Sequence, residues 1–314
     1  MELVTLADIR TAADHIAGVA VRTPLLPAWW AGTDLWLKPE GLQPIGSFKL
    51  RGAYNTVASL PEEKRRAGII AHSSGNHAQA AAYSARAFGV PCVVVMPNVA
   101  VPMKVEATRA LGAEVILVPP PERDDVMAKI AQERGLNRVP PFDHPDVIAG
   151  QGTIGLEIVA DLPDVDVVLV PVGGGGLASG VASAIKALRP AAAVIGVEPA
   201  LAADAADSLS SGELRKWPTE QTYRTIADGL RTNLSELTFA HLSERLDGMV
   251  TVSEDEILDA MTRMVRGSRV LVEPSGAVAT AAYLHHRAEL PQGRTAAVVS
   301  GGNADPKLLA DVFV

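Results

Sequence analysis

The chain has 314 residues, 48% hydrophobic, 20% charged and 4% aromatic, with a formal net charge of −8. Such apolar content excludes intrinsic disorder and the collagen-like and coiled-coil classes, and the acidic balance argues against a broad basic footprint for nucleic acid. At about 150 residues per domain the length predicts two domains, with enough core to fold without disulfide staples.

The one cysteine, Cys92, sits in the apolar run Pro91–Met96 and reads as a small core residue. No disulfide can form within one such chain, which fits a reducing compartment. Glu2, Asp8, Arg10 and Asp14 near the start leave no room for a signal peptide. The longest uncharged run, Val167–Ile185, is broken by Pro171 and four glycines, so it reads as strand, loop and helix rather than a membrane span. A cytoplasmic protein without membrane association is the expectation.

In chain order, short β-branched runs alternate with alanine-rich helical stretches. Ile69–His72 leads to a helix over Asn76–Phe88, Cys92–Met96 to Val101–Leu111, Glu114–Val118 to Asp124–Arg134, and Val167–Val172 to Leu177–Leu188. Val194–Val197 and Ala296–Val299 are further strands, and Ser253-Glu254-Asp255-Glu256 is a capping box opening a helix to about Arg266. The strands are apolar throughout, as strands buried on both faces must be. Their alternation with helices predicts parallel sheets with right-handed crossovers. The proline-bearing stretches Val118–Glu122 and Val139–Pro145 are candidate crossings between two α/β lobes, with ligands expected in the cleft at the carboxyl ends of the strands.

Val167–Val172 runs into Gly173-Gly174-Gly175-Gly176 ahead of a helix. Residues without Cβ let the backbone wrap an anion, and the loop and helix start offer N–H donors and a positive dipole end. Phosphate is the natural guest. Gly173-x-Gly175-x-x-Ala178 also fits a dinucleotide fingerprint, with Glu198 ending the next strand where a ribose-binding acid belongs. On that segment alone an NAD-dependent oxidoreductase is the rival reading.

Three more segments bear on the choice: Gly46-Ser47-Phe48-Lys49-Leu50-Arg51-Gly52-Ala53, Ser73-Ser74-Gly75-Asn76-His77 between a strand and a helix, and Ser300-Gly301-Gly302-Asn303 after the last strand. With Gly150-Gln151-Gly152-Thr153 and the tetraglycine loop they run in order over nearly the whole chain, from about Arg22 to Asn303. Together they resemble the pyridoxal-phosphate enzymes of the tryptophan-synthase-β type (fold type II), and more closely the serine/threonine dehydratases and serine racemase. Cysteine synthases share that fold but usually carry Ser-x-Lys-Asp-Arg and Thr-Ser-Gly-Asn-Thr in place of Ser47–Arg51 and Ser73–His77.

The resemblance implies two open parallel-sheet α/β lobes with the active-site cleft between them: a large cofactor-binding domain of residues 1–60 and 143–314, and a small domain of 61–142. It implies Lys49 as the Schiff-base lysine, a role open to an amine that forms an imine and then moves a proton. Gly173, Gly174, Gly175 and Gly176 would hold the phosphate, Phe48 would pack beside the ring, Asn76 would bond the ring hydroxyl and Ser300 would face the pyridine nitrogen. A hydroxyl there can donate to an unprotonated nitrogen, which weakens the electron sink and suits elimination better than transamination. Ser73, Ser74, Gly75, Asn76 and His77 would form the substrate-carboxylate loop. In racemase-like relatives the serine matching Ser74 can reprotonate Cα from the face opposite the lysine.

Glu198, the Ala202 carbonyl and Asp204 match a divalent-cation site of that family, which would take Mg²⁺ or Ca²⁺; Ala203 departs from some relatives and Asp207 lies nearby. Arg51 and Arg123 are candidates for meeting an acidic substrate side chain. His144, His241, His285 and His286 lack metal-ligand spacing and read as structural or exposed. With so short a stretch after Asn303, the expectation is that no C-terminal regulatory domain is present. The expectation is a pyridoxal-phosphate-dependent dehydratase, a cytoplasmic homodimer acting on a small amino acid such as L-threonine or L-serine, with no nucleic-acid partner. Serine racemase and threo-3-hydroxyaspartate dehydratase are alternatives on the same site; the oxidoreductase and a non-catalytic amino-acid or cofactor-binding protein are more distant ones.

Overall fold

Strands that read as apolar on every residue are, in the computed structural model, sandwiched between helical layers. The structure describes residues 2–73, 75–100 and 102–313, with side chains to Ala310. Six strands form one sheet: β1 (Leu26–Pro27), β2 (Leu35–Pro39), β7 (Val167–Pro171), β8 (Ala193–Pro199), β9 (Gly248–Val252) and β10 (Thr295–Val299). Four form the other: β3 (Ile69–His72), β4 (Cys92–Pro97), β5 (Glu114–Val118) and β6 (Asn137–Arg138). The orders are β1-β2-β10-β7-β8-β9 and β5-β4-β3-β6. Pairing is parallel except at the edge, where β1 runs antiparallel to β2.

Alternation explains the double burial. In β7, Val167 and Leu169 pack against Ile257, Met261 and Ala281 of helices Glu254–Ser268 and Pro274–His285. Val168 and Val170 face the other way, onto Ile154, Ile158 and Val181 of helices Pro145–Asp161 and Gly176–Leu188. The smaller sheet repeats the scheme. Ala71 and Val94 pack on helix Asn76–Phe88, while Ile70 and Val95 pack on helix Arg123–Arg134. Helix Lys49–Ser59 joins the first of these layers through Leu50, Ala53 and Val57.

Of the two proline-bearing stretches, residues 139–144 lead from β6 to helix Pro145–Asp161 on the larger sheet. Val118–Glu122 does not cross; it joins β5 to helix Arg123–Arg134, which packs on the same small sheet. Cys92 is buried in β4, and burial pushes its thiol up to about 12.

The Gly150–Thr153 segment serves packing. A Cβ on Gly150 would sit 2.6 Å from the Arg51 carbonyl, and Gln151 Oε1 accepts the Gly52 N–H at 3.2 Å. Gly180, on helix Gly176–Leu188, approaches the Ile148 carbonyl and the Gly152 backbone closely enough that a Cβ would overlap both. Three helices therefore touch backbone to backbone behind the cleft.

Arg51, the second candidate for an acidic substrate, is removed from the cleft. It is fully buried, donating to Glu40 at 2.7 and 2.8 Å, to Glu157 at 2.7 and 2.9 Å, to Thr153 Oγ1 at 3.1 Å and to the Val21 carbonyl at 3.2 Å. Buried Lys38 joins through Glu157 and the Thr23 carbonyl, both at 2.5 Å. Two cations and two carboxylates cancel, and the donors are satisfied, as buried charge requires.

The glycine contact gives a direct check. Gly180→Ala is expected to lose about 1–3 kcal/mol of stability by overpacking, read as a lower denaturant midpoint. An unchanged midpoint would contradict the close helix contact.

Candidate active site

Parallel sheets gather their carboxyl ends on one side, and here both sheets do so toward one cleft. His72 ends β3, Pro171 ends β7, and Ser300 follows β10; all three line a cavity of about 250 Å³. The cleft also brings together Phe48, Lys49, Ser73, Gly75, Asn76, His77 and all four glycines 173–176. Ser74 lies outside the described residues.

Lys49 opens its helix, and its Nζ donates to the Pro141 carbonyl at 2.7 Å. Among the described residues no carboxylate pairs with it. Burial alone pushes the amine down to about 8. Its main chain is tied to β10: the Phe48 N–H donates to the Ser300 carbonyl at 3.0 Å, and Ser47 bridges Gly301. The lysine and the serine are thus positioned by one backbone junction.

The tetraglycine loop leads into helix Gly176–Leu188, whose start has no side-chain cap. Gly175 has φ +86°, and a Cβ there would lie 2.7 Å from Leu234. A Cβ on Gly174 would lie 2.6 Å from the Phe142 ring. The backbone itself forms the wall, with unfilled N–H groups at a positive helix end, a donor set that fits phosphate.

Helix Asn76–Phe88 also starts uncapped, and the Gly75 N–H turns to Ser73 Oγ at 3.2 Å. The His77 ring does not serve as an acid or base; its Nε2 meets the Val139 carbonyl at 2.8 Å, and burial, then nearby Lys49, push it down to about 3. The main-chain N–H groups at the helix start remain as donors for a carboxylate.

Asn76 Nδ2 donates to Glu273 Oε1 at 2.7 Å, and Asn76 Oδ1 accepts from Asn303 Nδ2 at 2.7 Å. Ser300 Oγ contacts the Ser275 carbonyl at 3.3 Å. Glu273 and Ser275 are cleft residues that the sequence reading missed. The one available signal is Glu273-Pro274-Ser275-Gly276, a proline at the first position of an alanine-rich helix. From the small-sheet side Arg123, Lys104 and His72 reach the mouth of the cleft, and Lys104 pairs with Asp228 at 2.8 Å.

Glu198 is not a cleft residue. Its buried carboxylate accepts the Ala205 and Ala206 N–H groups at 3.1 and 2.8 Å, so it cannot meet a ribose on the glycine loop. Asp204 is equally buried; Oδ2 accepts the Leu234 N–H at 3.0 Å, while Oδ1 is buried without a partner. Burial, then the charge of Asp204, raises Glu198 well above the usual carboxylate range, and burial raises Asp204 to about 6. Ala202 is buried in the same turn. Two uncompensated carboxylates and an orphaned oxygen fit a hard cation. Among the described residues no three His, Cys, Asp or Glu side chains cluster, so such a site draws on a carbonyl. Asp207 is occupied by Trp217 Nε1 at 3.1 Å.

The histidines expected to be structural have protein partners. His144 caps helix Pro145–Asp161, His241 accepts the Val4 N–H at 2.9 Å, His285 meets Asp259 at 2.9 Å, and His286 meets Glu289 at 2.8 Å. Among the described residues no helix is long and apolar enough to cross a membrane.

The family model described as pyridoxal-phosphate dependent enzyme matches residues 16–301. The chain is 43% identical over 314 residues to an L-threonine ammonia-lyase of Thermotoga maritima, covering 98% of this chain and 77% of that one. It is 39% identical to an L-threo-3-hydroxyaspartate ammonia-lyase of Saccharomyces cerevisiae, covering 98% and 96%. The structure of maize serine racemase aligns with a TM-score of 0.94 at 35% identity, covering 99% of this chain and 97% of that chain. The chain belongs to the pyridoxal-phosphate-dependent enzymes of fold type II, in the group of the serine/threonine dehydratases and serine racemase.

Proposed function

We propose that the chain is an ammonia-lyase that converts L-threonine, L-serine or a related β-hydroxy amino acid to a 2-keto acid and ammonia. The observation that carries this reading is the half-buried Lys49 amine, held by the Pro141 carbonyl in one cleft with the tetraglycine loop, Asn76 and Ser300. Pyridoxal phosphate, when bound, supplies the electron sink for the pair left at Cα.

The chain's residues supply the rest. Gly173–Gly176 hold the phosphate, Phe48 packs beside the ring, Asn76 donates to the ring hydroxyl and Ser300 donates to the ring nitrogen. The loop of Ser73, Ser74, Gly75, Asn76 and His77 holds the substrate carboxylate, with the Asn76 and His77 N–H groups at the helix start as its donors. Lys49 removes the Cα proton as general base. An amine near 8 has roughly two orders of magnitude more neutral form at pH 7 than an exposed lysine. Loss of the β-hydroxyl as water, then hydrolysis of the resulting enamine, yields the keto acid and ammonia.

Glu198, Asp204 and the Ala202 carbonyl would bind Mg²⁺ or Ca²⁺, supported by the orphaned Asp204 oxygen. Arg123 at the cleft mouth supports threo-3-hydroxyaspartate as an alternative substrate. Similarity to serine racemase supports some racemisation, with Ser74 as the second proton donor. The reading extends to a cytoplasmic homodimer, which the single buried Cys92 and exposed Trp29, Leu42 and Leu271 support.

Three outcomes follow. Lys49→Ala abolishes keto-acid formation from L-threonine or L-serine; undiminished turnover in that variant would sink the mechanism. Apoprotein takes up the cofactor increasingly fast as pH rises to about 8 and then levels, because only the neutral amine attacks; a rise continuing beyond pH 10 would contradict the buried amine. Mg²⁺ or Ca²⁺ at about a hundred times its Kd stabilises the wild type by about 2.7 kcal/mol, seen as a raised Tm that Asp204→Asn lacks. Equal shifts in both proteins would remove the cation site.

A further inference from the structure

We propose that Glu273 is a positioning residue of this active site: together with Asn303 it holds the Asn76 amide in one orientation toward the cofactor, and its protonation sets the charge beside the ring hydroxyl. The inference rests on the functional reading above.

Orientation follows from donor arithmetic. Asn303 Nδ2 donates to both the Ile45 carbonyl, at 2.8 Å, and Asn76 Oδ1, at 2.7 Å. A carbonyl can only accept, so the Ile45 contact identifies the Asn303 nitrogen. Asn76 must then turn its oxygen toward Asn303 and its nitrogen toward Glu273 Oε1, at 2.7 Å. One N–H of Asn76 is used by Glu273, and the other is left to donate. Asn303 thus sets the sense of the amide, and Glu273, accepting from its nitrogen end, is the second hold that keeps it so against the cofactor's oxygen.

The carboxyl is held firmly. Glu273 is 4% exposed, its own N–H donates to the Gly301 carbonyl at 3.1 Å, and its Oε1 occupies the space a Cβ on Gly301 would need. The glycine following Ser300 thus makes room for this side chain.

Among the described residues the carboxyl has no cation of its own. Helix Asn76–Phe88 offers the Asn76 amide and a neutral His77; the 228–231 turn offers Asp228 and Arg231; helix Pro102–Ala110 offers Lys104, already paired with Asp228; helix Lys49–Ser59 offers Lys49, bound to the Pro141 carbonyl. The end of β10 offers the Asn303 N–H. Burial, then Asp228, raise the Glu273 carboxyl to about 7 against the smaller pull of Asn76 and Lys104. Oε1 can accept from Asn76 in either protonation state, so the geometry persists while the charge changes.

The test is a pH titration of the cofactor's visible absorbance in holoenzyme, with the cofactor Kd measured alongside. Wild type is expected to show a transition near pH 7. Glu273→Gln, which keeps an acceptor oxygen but cannot titrate, is expected to lose that transition or move it by at least about one pH unit, and Glu273→Asp to retain one. Glu273→Gln should keep its Kd within about threefold, while Asn76→Ala weakens it about tenfold or more, the loss of roughly one hydrogen bond. If Glu273→Gln does not fold, isotope-edited infrared on wild-type apoprotein must show a glutamic-acid carbonyl band that disappears near pH 7. A transition unchanged in Glu273→Gln, a wild-type spectrum flat from pH 6 to about 8.5, or no such infrared band would overturn the proposal alone. A protein with no cofactor absorbance would overturn the functional reading with it.

Discussion

Keeping a half-buried lysine amine in the cleft with a carbonyl rather than a carboxylate as its partner is the constraint on which this structure turns. Buried ammonium groups ordinarily recruit a carboxylate, and two, Glu40 and Glu157, pack against the helix that Lys49 opens. Arg51, two residues after Lys49, holds both Glu40 and Glu157, and Lys38 shares Glu157. The acids behind the helix are therefore spent on each other's cations. Lys49 is left with a carbonyl and a lowered affinity for its proton. The network also fixes the first turn of the helix that presents the amine. Losing one partner would strand a buried charge, a loss of about 3–5 kcal/mol.

Around that amine the fold arranges acceptors and donors by topology. Parallel strands deliver their carboxyl ends, with uncapped helix starts, to a single opening. The backbone at Gly173–Gly176 and at the start of helix Asn76–Phe88 then offers N–H groups that suit anions with little side-chain involvement. Close helix packing at Gly150, Gly152 and Gly180 draws the supporting helices together behind it. Arg123, Lys104 and Asp228 add charged side chains to the same cavity.

Much of the fold was legible because both-face burial leaves an unbroken apolar run. Ile69–His72 and Glu114–Val118 are strands at the expected residues, and Asn76–Phe88 is a helix at both expected ends. Strand Leu35–Pro39 escaped because Lys38 and Pro39 interrupt its pattern, and Lys38 is tolerated only through Glu157. Helix Pro145–Asp161 escaped because Gly150, Gly152 and Gly155 are poor helix formers; tertiary contact selects them. The cleft residues announced themselves as motifs whose members meet in space. Glu273 did not, since a lone glutamate before a proline looks like an ordinary cap. Its role depends on Asn76, 197 positions away. Arg51 seemed free to meet substrate because its carboxylate partners are distant in sequence.

The central claim is that Lys49, among the lysines of this chain, carries the cofactor. Reducing the cofactor-loaded protein with borohydride and mapping the tagged peptide by mass spectrometry tests it directly. The account predicts the pyridoxyl group on the peptide containing Phe48-Lys49-Leu50. A tag on Lys104, the other cleft lysine, or no tag in a protein that still forms keto acid, would contradict it.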